Sequence, residues 1–303
     1  PSGDVRKAAA RKALEAGDID GAADAIALVA RQQGEAAGGA AKAAAESWKE
    51  VAALLAPSDP AAAVDAYEEA RRLDPGDLDS WTRLASIHFA TGDFAAARAI
   101  NEDVIARAAA DSSEYGWAKL GLGAVAFARG ATGEAETLFK EGESIALKLG
   151  EPRLIAAVGT SLSAISRRRG DFGAAEKLLR RSIEQARKAD APSFEARALT
   201  QLGLVVYSRG DRADGAALLK QANAMYEARG ELRQQATTIG NLGAMALEQG
   251  DVATAAGYIE QSVALGERLG LRQSVAEDYV TLAELARQKG DLDLAQRHAD
   301  KAG

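Results

Sequence analysis

The stretch RGDFGAAEKLLRRSIEQARKAD, residues 169–190, returns forty residues later as RGDRADGAALLKQANAMYEARG, residues 209–230. Turn glycines mark the same phrase at Gly130, Gly170, Gly210, Gly250 and Gly290, each 40 residues from the last, and Gly92 and Gly17 are earlier members. Around residue 58, APSDPAAAVDAYEEA carries the phrase without its glycine, so eight units are expected. A fixed period of this length is the signature of a stacked repeat. At 303 residues the chain is also long for one compact core, which favours such an array.

Each unit reads as helix, tight turn, helix. The turn glycine can take the left-handed conformation that ends the first helix. Asp93, Asp171, Asp211, Asp251 and Asp291 follow it and are placed to cap the second helix. A second punctuation mark recurs at Gly150, Asp190, Gly230 and Gly270, with Pro152 and Pro192 just beyond it, at the first turn of the next unit. Turns are expected near residues 17, 58, 92, 130, 170, 210, 250 and 290, giving sixteen helices and no strand.

Packing positions are nearly constant between units. Eight residues before the glycine stand Leu84, Leu122, Leu162, Leu202, Leu242 and Leu282, a row expected to be buried. Seven before it come Ala85, Gly123, Ser163, Gly203, Gly243 and Ala283, and five after it Ala22, Ala97, Ala135, Ala175, Gly215, Ala255 and Ala295. Small residues at two fixed points let antiparallel helices approach closely, because side-chain size sets the interaxial distance.

The run NLGAMALEQGDVATAA at 241–256, with its leucine, small residue, GD turn and small residue, resembles the tetratricopeptide repeat. Trp81, Leu84, Gly92, Ala97 and the LDP at 73–75 match further features of that family. The resemblance covers residues 76–303 as regular repeats and 1–75 as divergent ones, in one continuous solenoid. Its period of 40 rather than 34 looks like the longer-helix variant of bacterial regulators and kinesin light chains. Membership implies an all-α, right-handed superhelical solenoid of about eight repeats that binds a protein segment or peptide in a concave groove, without catalysis and without a cofactor. The family's carboxylate clamp is matched at Asn241 alone.

Composition narrows the partners. Net charge is −7, with no long basic run, so the footprint of a nucleic-acid binder is missing. There is no cysteine, hence no disulfide, thiolate metal site or cysteine nucleophile. No apolar run approaches the roughly 20 residues that span a bilayer, so no membrane insertion is expected. A cytoplasmic location is expected, with a periplasmic one left open because the native N-terminus can be missing.

Motifs that suggest chemistry have simpler readings. RGD at 169–171 and 209–211 corresponds to TGD, QGD and KGD in other units, so the Gly-Asp belongs to the turn. GLGAVA at 121–126 matches a dinucleotide fingerprint but lies within a helix and lacks the preceding strand. His88 and His298 have no metal-ligand spacing around them: His88 is expected between helices and His298 partly solvated on the last helix. The pairs Glu68/Glu69 and Asp18/Asp20 are expected on solvated helix faces.

Function is therefore expected on a surface. In a solenoid, one stripe of the first helices faces the groove, and counting back from the turn glycine by 3, 6, 10 and 13 follows it. The expected partner-binding residues are Phe89, Trp117, Leu120, Phe127, Arg167, Arg168, Arg197, Thr200 and Tyr207. Early units are apolar and aromatic and the middle is basic, so the expected partner is a protein or peptide with apolar and acidic residues. Three uses fit: an interaction scaffold, a peptide-sensing regulatory region of a larger protein, or self-association through the terminal units. Leu292, Leu294 and Ala295 are expected to be poorly shielded, to be covered by continuation past the last repeat or by a second copy.

Overall fold

A computed structural model of the chain describes residues 12–13, 19–34, 40–57, 59–270 and 272–302. Among them are fifteen α-helices and no strand. They are α1 (Ile19–Gly34), α2 (Ala40–Leu55), α3 (Pro60–Leu73), α4 (Leu78–Ala90), α5 (Phe94–Arg107), α6 (Ser113–Ala128), α7 (Thr132–Leu149) and α8 (Pro152–Arg168), followed by α9 (Phe172–Lys188), α10 (Pro192–Ser208), α11 (Arg212–Glu227), α12 (Leu232–Glu248), α13 (Val252–Arg268), α14 (Arg272–Gln288) and α15 (Leu292–Ala302). The expected turns near 92, 130, 170, 210, 250 and 290 fall between α4 and α5, α6 and α7, α8 and α9, α10 and α11, α12 and α13, and α14 and α15. The turn at residue 17 and the helix before it lie outside the described residues, as does Ser58. The all-α repeat class read from the sequence is borne out.

The turns form for the reason the sequence gives. Gly92, Gly130, Gly170, Gly210, Gly250 and Gly290 all have φ between +74° and +109°, a region that costs an L side chain a clash with its own carbonyl. The following aspartates then cap: Asp93 accepts from the Ala96 N–H at 3.0 Å, Asp171 from Ala174 at 2.9 Å, Asp251 from Thr254 at 3.1 Å and Asp291 from Leu294 at 2.9 Å. Asp59 does the same for Ala62 in the unit without a glycine, at 3.0 Å. Asp211 makes no side-chain cap bond. At the second punctuation mark Gly150, Gly230 and Gly270 are left-handed, and Asp190 adopts φ +46° there despite its side chain.

The chain divides into two compact units, residues 1–162 and 163–303, with the boundary inside α8. In the first, Ala22, Ile26, Val51, Ala63, Tyr67 and Leu84 pack into one cluster. In the second, Leu179, Ile183, Leu199, Leu202, Val205 and Tyr226 form another. Ile259, Val263, Tyr279, Leu282 and Leu285 form a third, nearer the C-terminal helix.

Five leucines of the expected row are buried. Leu122 is the exception, partly exposed while Leu120 two residues earlier is buried instead. The small residues explain the close approach of paired helices. A Cβ at Gly215 would lie 2.7 Å from Tyr207 Cβ and 2.8 Å from both the Tyr207 nitrogen and the Gly203 oxygen. No side chain fits there, so α10 and α11 touch backbone to backbone. Ala22, Ala97, Ala135, Ala175 and Ala255 hold the corresponding position elsewhere and are fully buried, whereas Ala283 and Ala295 in the last pair are partly exposed.

Candidate functional site

Along the first helices, exposure decides which of the expected residues can meet a partner. In the first unit, Phe89 is half-buried, its ring 5.4 Å from that of Phe94 across the α4–α5 turn. Phe127 is half-buried at the end of α6, and Leu120 is buried at 8% exposure. Trp117 is half-buried and engaged: its indole Nε1 donates to Glu151 Oε1 at 3.0 Å, and Ser113 donates to the other oxygen of that carboxylate at 2.6 Å. Glu151 stands immediately before α8, so this tryptophan ties one repeat to the start of the next. Trp117 stays half-buried, with its indole N–H engaged by the carboxylate before α8.

In the second unit, Arg167, Arg168 and Arg197 are exposed, Tyr207 is half-buried and Thr200 is buried. Thr200 donates to the Ala196 carbonyl at 3.0 Å and shares a hydrogen bond with buried Tyr226, whose pKa is raised by burial. Tyr207 donates to the Met245 carbonyl on α12 at 3.2 Å, with the Arg212 guanidinium 5.9 Å above its ring. Leu120 and Thr200 thus lie beneath the surface, where packing constrains them.

Nine residues before each turn glycine, Arg83, Gly121, Ser161, Gln201, Asn241 and Thr281 are all partly exposed, while the row at minus 10 is uneven: Leu120, Thr160 and Thr200 are buried, Thr82 is partly exposed, and Gly240 and Val280 are exposed. With 3.6 residues per turn, minus 9 and minus 10 both fall on the face of minus 13 and minus 6, so the packing of each unit decides which of them is covered.

Arg197 and Arg167 are the two of these groups without an ion pair among the described residues. No carboxylate pairs with Arg197 among the described residues, and its nearest partner is the Phe194 ring at 5.7 Å from Cζ. The residue as a whole is exposed, yet surrounding protein strips hydration from its charged end and lowers its pKa, an effect that Tyr226 partly opposes. Arginine stays charged under such pressure. Arg167 is likewise exposed and unpaired among the described residues. Other arginines of this unit are engaged: Arg187 pairs with Glu195 and Arg229 with Glu231, each at 2.7 Å, and Arg209 pairs with Glu176.

The remaining motifs are structural. Asp171 of the first RGD caps α9, and Arg209 of the second is held by Glu176. The GLGAVA glycines lie inside α6, where a Cβ at Gly123 would meet the Phe139 ring at 2.5 Å. His88 Nδ1 lies 3.4 Å from Asp93, and His298 stacks on Tyr279 with ring centroids 5.9 Å apart. Glu68 and Glu69 pair with Arg71 and Arg72 on the surface of α3. Side chains of Asp18 and Asp20 lie outside the described residues. Among the described residues no cluster of three metal-ligating side chains occurs, and no helix is long and apolar enough to cross a membrane.

The tetratricopeptide repeat family matches residues 54–116, and the resemblance read from the repeats is borne out. Trp81, inside that match, sits between the guanidinium groups of Arg71 and Arg107, 3.6 and 4.4 Å from its ring centroid. No curated protein matches the chain. Among solved structures it is similar to a Rap protein complexed with Competence and Sporulation Factor, at 15% identity and a TM-score of 0.69, covering 98% of this chain and 85% of that one. A Signal Transduction ATPase with Numerous Domains carrying a tetratricopeptide repeat sensor, from Pyrococcus horikoshii, is similar at 15% identity and a TM-score of 0.59, over 86% of this chain and 44% of that one. The third likeness is to BtubC from P. vanneervenii, at 16% identity and a TM-score of 0.53, over 82% and 89%. At these identities the likeness establishes the fold.

Proposed function

We propose that this chain is a non-catalytic interaction module whose first helices bind a segment of another protein, or a peptide, along their exposed line. The carrying observation is Arg197, a charged group partly stripped of water, resting on an aromatic ring and unpaired among the described residues. Arginine and aromatic side chains dominate binding energy at interfaces. A carboxylate delivered by a ligand would supply the charge-assisted hydrogen bonds that the protein does not. Arg167, Gln201 and Tyr207 extend the same exposed line within the second unit. In the first unit Phe89 and Phe127 offer half-buried aromatic surface. A segment that binds the second unit accordingly carries acidic residues, and one that binds the first carries bulky apolar ones.

A peptide-sensing role within a larger signalling protein is the second reading. It is favoured by the fold likeness to the Rap protein solved with Competence and Sporulation Factor and to the repeat sensor of the Pyrococcus horikoshii protein. Affinity capture followed by titration of the recovered segment tests both. Arg197→Glu and Arg167→Glu should each weaken binding about tenfold at low salt and flatten its salt dependence. A sensor binds the isolated short peptide and changes its scattering profile; a scaffold retains the folded partner. A partner that binds both reversed variants as tightly as the parent removes the first-helix line from consideration.

A further inference from the structure

The second unit carries a second surface on the other helix of each pair. α9 and α11 each pack on α10, and between them an open groove of about 470 Å³ reaches down to α10. Leu199 and Leu202 of α10 form its floor, with Ile183 of α9 and Leu218 of α11 on its sides. The volume falls within the roughly 300–1,000 Å³ of ordinary ligand sites.

The rim is unusual in this acidic protein. α9 carries Lys177, Arg180, Arg181, Arg187 and Lys188 against Glu176 and Glu184, a net +3 within a chain of net −7. All five cations are exposed, as is Glu184, while Glu176 is half-buried. The neighbouring second helices are neutral or acidic: α11 balances Arg212 and Lys220 with Asp214 and Glu227, and α7 has four glutamates against two lysines. Arg180 pairs with Glu176 at 2.7 Å, Arg187 with Glu195 at 2.7 Å and Lys188 with Glu184 at 2.8 Å. The Lys188–Glu184 pair is exposed on both sides and therefore weak and exchangeable, while Glu176 and Glu195 are largely covered and only their arginine partners reach solvent. Among the residues that line the groove, Arg180, Arg187 and Lys188 stand against the single carboxylate of Glu184, and α11 contributes no charge.

Spacing identifies the form of the complement. The groove-lining cations Arg180, Arg187 and Lys188 are seven or eight residues apart, so they run as a rail along one side of α9 for roughly 12 Å at 1.5 Å per residue. A partner helix lying along that rail presents carboxylates at the same spacing, and its apolar face enters the space between α9 and α11. From the apolar floor and the one-sided positive rim, we infer that the groove between α9 and α11 docks an acidic amphipathic helix of another protein. This surface is separate from the exposed line of α10 that includes Arg197.

The test uses a synthetic helical peptide matched in length to α9, with leucines on one face flanked by glutamates, and a scrambled isomer of identical composition. Binding to the full chain is followed by fluorescence anisotropy at low and physiological salt. The parent should bind the amphipathic peptide at least tenfold more tightly than the scrambled one. Arg180→Glu combined with Arg187→Glu should weaken binding about tenfold at low salt, and less at physiological salt where screening already weakens the pairs. Gln221→Trp, which fills the groove from exposed α11 without changing charge, should weaken it with no change in salt dependence. Arg197→Glu should leave it unaltered, which separates this surface from the first-helix one. Equal binding of the scrambled peptide, undiminished binding by both groove variants, or capture of vesicles of phosphatidylcholine and phosphatidylserine in place of the peptide would each overturn the inference.

Discussion

Gly215→Ala sets the repeat pattern against the local packing. Every other unit with this position described has alanine there, so the pattern by itself predicts that the change is neutral or helpful. A helix also gains up to about 1 kcal/mol when alanine replaces glycine in its interior. Yet the new methyl would sit 2.7–2.8 Å from Tyr207 Cβ, the Tyr207 nitrogen and the Gly203 oxygen, none of which lies at the free end of a flexible side chain. Relief requires α10 and α11 to separate, and overpacking of this kind costs about 1–3 kcal/mol. After subtracting the propensity gain, a net loss of up to about 2 kcal/mol is expected. Gly240→Ala is the control: that glycine is also within a helix, but nothing lies within 4 Å of its added Cβ. There the same substitution should stabilise by about 0.5–1 kcal/mol. Urea denaturation followed by far-UV circular dichroism gives the overall change. Hydrogen exchange should localise the Gly215→Ala loss to residues 192–227, because a repeat contacts chiefly its neighbours. A Gly215→Ala variant as stable as the parent, with Gly240→Ala also stabilised, would refute the close-approach argument.

Asp190→Gly should raise thermal stability by about 0.5–1 kcal/mol, since it removes the cost of holding a side chain at φ +46° at a helix end where other repeats use glycine; a calorimetric loss would count against it. Asp77 accepts from Ser80 at 2.7 Å and pairs with Lys49 at 2.9 Å. Burial opposes its charge, but the Ser80 and Lys49 contacts outweigh it and hold the folded-state pKa below the ordinary aspartate value. Its stabilising contribution is therefore full above the unfolded value of about 3.9 and is lost as pH falls through the lower folded one. Asp77→Asn should cost about 1–2 kcal/mol near neutral pH, and denaturation curves of parent and variant should converge in acid. A gap that persists below that window would assign the effect to shape rather than charge.

Much of the fold was legible because the same physical demands recur every 40 residues. A left-handed residue is needed wherever a first helix ends, a carboxylate wherever a second helix leaves its first N–H groups unpaired, and a small residue wherever two axes cross. Gly170, Asp171 and Ala175 therefore announce themselves by repetition, and the helix boundaries follow. The site was only partly legible. Counting positions on an ideal helix gave Phe89, Phe127, Arg167, Arg197 and Tyr207 as accessible or half-accessible, but it also chose Leu120 and Thr200, which neighbouring helices cover. Exposure depends on which helix packs against each side, and that is a property of the assembled repeat. The sequence by itself determined the helices, their order, their turns and the residues that close each turn, since those are set by contacts within a few residues. Tertiary structure alone decided that Trp117 is bound by Glu151, that Arg197 is left unpaired, and that α9 and α11 frame a groove, because each of these depends on groups from different helices converging in space.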